Sequence, residues 1–101
     1  MSEFEKTAKI LKALAHPLRL KIIRALTMEG EDMYLTEIGK RVGVSRALAK
    51  IHLKKLEAGA IVKSRIVLVE GEARALRYYH LQDFHIQLSP EIMKEVKYTG
   101  N

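Results

Sequence analysis

TEIGKRVGVSRALAKIHLKKLEAG, residues 36–59, is the stretch from which the rest of the chain can be read. Thr36 is placed to cap a brief helix over Glu37–Val42, with Ile38 and Val42 facing inward and Gly43 breaking it. Ser45 caps a longer helix over Arg46–Ala58, and Gly59 stops that one. A short helix, a glycine turn and a longer helix form a helix-turn-helix, whose second helix enters a DNA major groove with its N-terminal residues against the bases.

That role demands a two-sided second helix. At 100° per residue, Ala49, His52, Leu53, Leu56 and Ala60 gather on one side as a core face. Opposite them lie Ala47, Lys50, Ile51 and Lys54, flanked by Arg46 and Lys55. The outer face is cationic and holds no acid; Glu57 sits near the far end. A face that only keeps a protein in solution usually mixes signs. One sign alone suits phosphates, whose condensed counterions Lys and Arg displace, and Arg can grip guanine with two hydrogen bonds. Ala47 is small enough to let the helix approach the bases.

Upstream, Phe4, Ala8, Leu11 and Leu14 recur at helical spacing, predicting a helix over Ser2–Ala15. Pro17 suits the first position of a second helix with Leu18, Ile22, Ala25 and Leu26 as its apolar stripe, ending at Gly30. Met33–Leu35 is a short apolar lead into Thr36. Downstream the period changes. Ile61–Val69 and Arg74–Leu81 are rich in β-branched and aromatic residues, with Glu70-Gly71-Glu72-Ala73 as the turn of a β-hairpin. Phe84, Ile86 and Leu88 alternate with polar residues, which predicts one more short strand. Ser89, Pro90 and Glu91 open a last helix ending near Lys97. The fold class is mainly α with a small β-hairpin.

The chain has 101 residues, room for one domain, and 48% of them are apolar, enough for a core. It has no Cys, which removes disulfides, thiolate metal sites and cysteine nucleophiles together. With 18 Lys and Arg against 12 Asp and Glu, the formal charge is +6 and a polyanionic partner is indicated. No apolar run approaches the roughly 20 residues of a membrane span, and Met1–Lys12 is too charged for a signal peptide. No membrane partner and a cytoplasmic location are therefore expected. No phosphate loop, paired carboxylates or nucleophile triad points to an enzyme.

With these segments in place, the chain resembles the ArsR-like winged helix-turn-helix regulators of prokaryotes. Residues 11–26, LKALAHPLRLKIIRAL, look like that family's helix leading into A-x-P-x-R-x-x-I-x-x-L. Residues 35–45, LTEIGKRVGVS, followed by His52-Leu-Lys-Lys-Leu56, look like its helix-turn-helix, and the resemblance spans residues 10–81. It implies one winged-helix domain over 1–101, with the helix-turn-helix at 36–58, the hairpin 61–81 as wing, and helices 1–15 and 89–97 joining two copies on a two-fold operator. The site set implied for double-stranded DNA is Thr36, Ser45, Arg46, Ala47, Lys50, Ile51, Lys54 and Lys55.

Three departures matter. The family usually has Ala-Gly where this chain has Gly59-Ala60, so the recognition helix is expected to end a residue early. The wing tip carries Glu70 and Glu72, the wrong sign for a minor groove, so any wing contact falls to Lys63, Arg65, Arg74 and Arg77. Many relatives sense metals, yet Asp83-Phe84-His85 has only Val96 and Thr99 where a partner His pair is needed. His16, His52, His80 and His85 form no visible cluster, and His52 reads as a packing residue. No metal or other cofactor is expected, and no small-molecule effector can be named from the sequence.

The chain ends give a separate reason for a homodimer. Phe4, Ala8, Leu11 and Leu14, with Ile92, Met93 and Val96, are more apolar positions than a small helical core covers. Symmetric pairing buries them and sets two recognition helices about 34 Å apart, one DNA turn. The function expected is a dimeric transcriptional repressor. A protein-interaction winged helix and a non-specific architectural DNA binder stand as alternatives, since fold alone does not decide function.

Overall fold

The computed structural model describes residues 2–95, so Val96, Lys97 and Thr99 lie outside the described residues. The elements run α1 (Glu3–Leu14), α2 (Pro17–Glu29), β1 (Met33–Tyr34), α3 (Leu35–Val42), α4 (Arg46–Ala58), β2 (Val62–Leu68), β3 (Ala75–Leu81) and α5 (Pro90–Glu95).

Local chemistry sets most of these ends. Ser2 Oγ accepts the Glu5 N–H at 3.2 Å and caps α1. His16 Nδ1 accepts the Leu18 N–H at 3.0 Å and caps α2, with Pro17 in the first helical position. Ser89 Oγ accepts the Ile92 N–H at 3.1 Å and opens α5 as the sequence indicated. Gly43 takes a left-handed conformation, φ 76°, between α3 and α4, where a side chain would be strained.

Three expectations need correcting. Thr36 does not cap α3: the helix starts two residues earlier than expected, at Leu35, and the Glu37 carboxylate accepts the Tyr34 N–H at 3.1 Å from inside the first turn. The cause lies upstream, because Met33 and Tyr34 pair with Tyr79 and Tyr78 as strand β1 and deliver the chain straight into Leu35. Residues 82–89 form no strand. Already flanked by β1 and β2, strand β3 leaves the segment after it, which has no reversing turn, no ladder to join. Ala60, placed on the core face, is exposed and lies beyond α4.

The antiparallel sheet has the order β1-β3-β2, with pairs from Val62↔Leu81 to Leu68↔Ala75. Alternation gives the hairpin two faces. Val62, Ser64, Ile66 and Leu68 share one with Tyr79, and its root packs into the core. Lys63, Arg65, Tyr78 and His80 share the other. The core joins Ile22 and Leu26 of α2, Leu35 and Ile38 of α3, Ala49, Leu53 and Leu56 of α4, and Met33, Ile61, Val62 and Tyr79 from the sheet side. All are buried. Ile66 and Leu68 have run past the helices and are 58% and 80% exposed.

Helix α1 crosses the C-terminal end of α4 so closely that a Cβ on Gly59 would sit 2.3 Å from the Ala13 Cβ. Glycine is therefore needed at 59, and the left-handed turn that follows falls on Ala60, φ 59°. Swapping the family's Ala-Gly for Gly-Ala leaves α4 ending at Ala58, as its sequence indicated, and moves the strain onto an alanine. Among the described residues, no helix is long and apolar enough to cross a membrane.

Candidate nucleic-acid interface

Recognition by a helix requires a defined start, a rigid seat and a free outer face. In α4 the start comes from Ser45, whose Oγ accepts the Leu48 N–H at 3.1 Å. This leaves the positive end of the helix dipole beside Arg46 and Ala47, where an anion is favoured.

The seat is made by Ala49, His52, Leu53 and Leu56, all buried. His52 meets α2 there. Its ring lies 4.3 Å from the His16 ring, and Arg19 Nη1 is 3.5 Å from its Nδ1. The buried Arg19 also donates to the Ala15 carbonyl at 3.4 Å, so one guanidinium joins the end of α1, the start of α2 and the recognition helix. Burial first, then the electrostatic influence of His16, Arg19 and Lys55, lowers the His52 imidazole below its ordinary value. His52 is therefore a packing residue. The role of Arg19, and of His16 as a cap, escaped the sequence reading; the spacing of His16, Pro17 and Arg19 is the only signal that could have suggested them.

On the outer face, Arg46, Ala47, Lys50, Ile51, Lys54 and Lys55 are all exposed, as are Ser45 and Leu48, while Thr36 is half-buried in the first turn of α3. Among the described residues, none of Arg46, Lys50, Lys54 and Lys55 forms an ion pair. Ile51 is 55% exposed amid these charges, and Leu48 adds a second apolar group that the sequence reading had not placed there. Apolar side chains in this position can meet a thymine methyl group.

The wing is arranged differently. Arg65 donates to Asp32 at 3.0 Å and lies over the Tyr78 ring, 5.0 Å from its centre. His80 Nδ1 is 2.7 Å from the other Asp32 oxygen. The hydrogen bond with His80 is the main cause that holds the Asp32 carboxyl below the usual carboxylate range, with Arg65 adding to it. Arg74 pairs with Glu72 at the tip. Arg77 Nη1 donates to Ser64 Oγ at 2.9 Å, and that hydroxyl donates to Glu57 at 3.3 Å, tying the wing root to the end of α4. Lys63 is exposed on the face it shares with Arg65, the face turned from the core. Of the four wing cations, two are thus joined to acids, one is held by a hydroxyl, and two lie on the face away from α4.

At the chain ends, Phe4, Ala8 and Leu11 of α1 line one groove with Leu88, Ile92 and Met93. Leu14 departs from this set: it packs against the chain's own core beside Ala13, on the inner side of α1. Asp83 and His85 are exposed, and among the described residues no three His, Asp or Glu side chains converge as metal ligands.

The helix-turn-helix domain family matches residues 14–65. An uncharacterized HTH-type transcriptional regulator of Methanocaldococcus jannaschii is 36% identical over 88 residues, covering 87% of this chain and 88% of that protein. NolR from Sinorhizobium fredii, a crystal structure, is similar with a TM-score of 0.62 at 31% identity, over 92% of this chain and 79% of that one. The solution structure of a homodimeric winged helix-turn-helix DNA-binding domain from Mycobacterium bovis, described as a possible ArsR-family transcriptional regulator, has a TM-score of 0.63 and 27% identity. That likeness covers 77% of this chain and 65% of the other.

Proposed function

This chain belongs to the helix-turn-helix family, in its ArsR-like winged form, and from that premise we propose that it is a dimeric transcriptional repressor that reads a two-fold operator with α4. The observation that carries the reading is the outer face of α4, where four exposed cations have no acid partner among the described residues. Cations already paired within the protein release few counterions on binding DNA; unpaired ones release their full share. Ser45 and Thr36 lie at helix starts suited to the phosphate backbone, and Arg46, Ala47, Lys50 and Ile51 face the base edges. Lys54 and Lys55 follow the flanking backbone.

Two copies join through Phe4, Ala8, Leu11, Ile92 and Met93; Val96, expected in the same set from the sequence, lies outside the described residues. Such a dimer places its recognition helices one DNA turn apart and works where the chromosome is, in the cytoplasm. Bound over a promoter, it excludes the polymerase.

Selection of bound fragments from genomic DNA tests the reading, and a palindrome with half-sites spaced by one helical turn is the expected product. A dimer that neutralises about six phosphates loses on the order of a thousandfold in affinity between 50 and 200 mM salt. Equal affinity for operator and random DNA would select the architectural alternative instead. The exposed Ile66 and Leu68 on the wing are the one feature that favours a protein-interaction role. Retention of a protein partner by Lys50→Glu/Lys54→Glu, with no DNA bound by the parent chain, would establish that role.

A further inference from the structure

Helices α2 and α3 enclose a second feature that DNA reading leaves unused. Ala25 of α2 and Val42 of α3 form the apolar floor of a cleft, Met28 of α2 stands at its mouth, and Lys21, Arg24 and Arg41 stand around it. The cleft measures roughly 330 Å³, at the small end of the range of about 300–1,000 Å³ in which proteins hold small molecules.

The three cations are not equivalent. Arg41 donates to Glu29 at 2.7 Å, so its charge is balanced within the protein. Lys21 and Arg24 are exposed and, among the described residues, have no acid partner. Two unbalanced positive charges therefore border an apolar floor. Met28 is 72% exposed at the mouth, a flexible thioether that adapts to varied apolar shapes. A phosphate needs no such floor, and a neutral apolar molecule needs no such rim. One ligand class uses both.

We propose that the cleft between α2 and α3 binds a small amphiphilic carboxylate, its chain against Ala25, Met28 and Val42 and its anionic head between Lys21 and Arg24. Arg24 can grip a carboxylate with two parallel hydrogen bonds, and Lys21 supplies a second charge. None of these residues belongs to the DNA-reading set, so the site stands or falls without the repressor reading.

Decanoate, titrated into the full chain in the absence of DNA and followed through the Met28 methyl resonance and by calorimetry, is the direct test. Saturable binding is expected, at least tenfold weaker for decanamide, which lacks the charge, and for acetate, which lacks the chain. Lys21→Gln/Arg24→Gln is expected to weaken decanoate binding at least tenfold with thermal unfolding unchanged. Met28→Gln gives an independent second variant, weakening decanoate more than acetate. Three results overturn the proposal: no saturable binding, equal binding of decanoate and decanamide, or full binding by the double variant. If that third result comes with a fall of about four in the salt slope of DNA binding by the dimer, two from each protomer, the rim is a phosphate contact.

Discussion

Helix α4 and the β2–β3 hairpin both carry several cations, yet the protein disposes of the two sets differently. On α4, Arg46, Lys50, Lys54 and Lys55 point outward with no acid partner among the described residues. On the hairpin, Asp32 takes Arg65, Glu72 takes Arg74, and Ser64 holds Arg77. Counting positive residues would rank the regions alike. Their partners do not: on α4 no acid among the described residues takes up the charge, while the hairpin spends most of its charge holding its own shape and its link to Asp32.

The contrast is open to attack, most strongly through its charges. Lys50→Glu/Lys54→Glu should lower DNA affinity on the order of a hundredfold and reduce the salt slope of the dimer by about four, two from each protomer, whereas Arg65→Glu/Arg74→Glu should change affinity by only a few-fold. Fluorescence anisotropy on one operator fragment at several salt concentrations reads both pairs. Equal losses would erase the distinction.

The joint between the two regions is the next target. Gly59→Ala drives a methyl group into Ala13 and should lower stability by about 1–3 kcal/mol, seen as a lower chemical-denaturation midpoint. Ala60→Gly, one residue on, should raise stability by less than about 1 kcal/mol, because relief of the left-handed alanine is partly offset by greater freedom of the unfolded chain.

Acid separates the regions by pH range. His52 has a folded-state pKa below its unfolded value, so the unfolded chain binds the proton more readily. Its contribution is complete above about pH 6.5 and is lost as pH falls through the lower, folded value. His52→Leu should flatten that part of the stability profile. Asp32, also lowered, contributes only to losses at more acidic pH, through the carboxylate range.

The smallest effect expected is from Asp32→Asn, which releases Arg65 and should raise DNA affinity no more than a few-fold. A slope increase of about two in the same salt titration, one from each protomer, would show that the freed Arg65 reaches a phosphate; an unchanged slope would keep the outer face of the wing off the DNA.

How much of this was legible beforehand depended on whether the cause was local. Ser45, Gly43 and Gly59 announce the bounds of α4 through capping and turn chemistry within a few residues, and the outer face of that helix follows from its period. The hairpin turn was equally local. What sequence could not show was set at long range. Strand β1 has two residues, too few for any period, and exists because Tyr78 and Tyr79 lie beside it. The pairing of Arg65 with Asp32 spans 33 positions, and nothing near either residue signals it. Phe84, Ile86 and Leu88 alternate as a strand does, but β3, the strand just before them, already has a partner on each side and they join no ladder. Local order supplied the recognition helix; only the folded chain revealed which cations were already taken.

Gly59 has a mechanical consequence. Where only a hydrogen atom separates α1 from the tail of α4, the contact has no slack to absorb movement. If α1 forms the seam between two copies, a small change in how they meet passes directly into the tilt of the helices that touch DNA. The distance between the paired reading heads then acts as a gauge of the seam, and a molecule that wedges the seam open could detune the protein without touching either head.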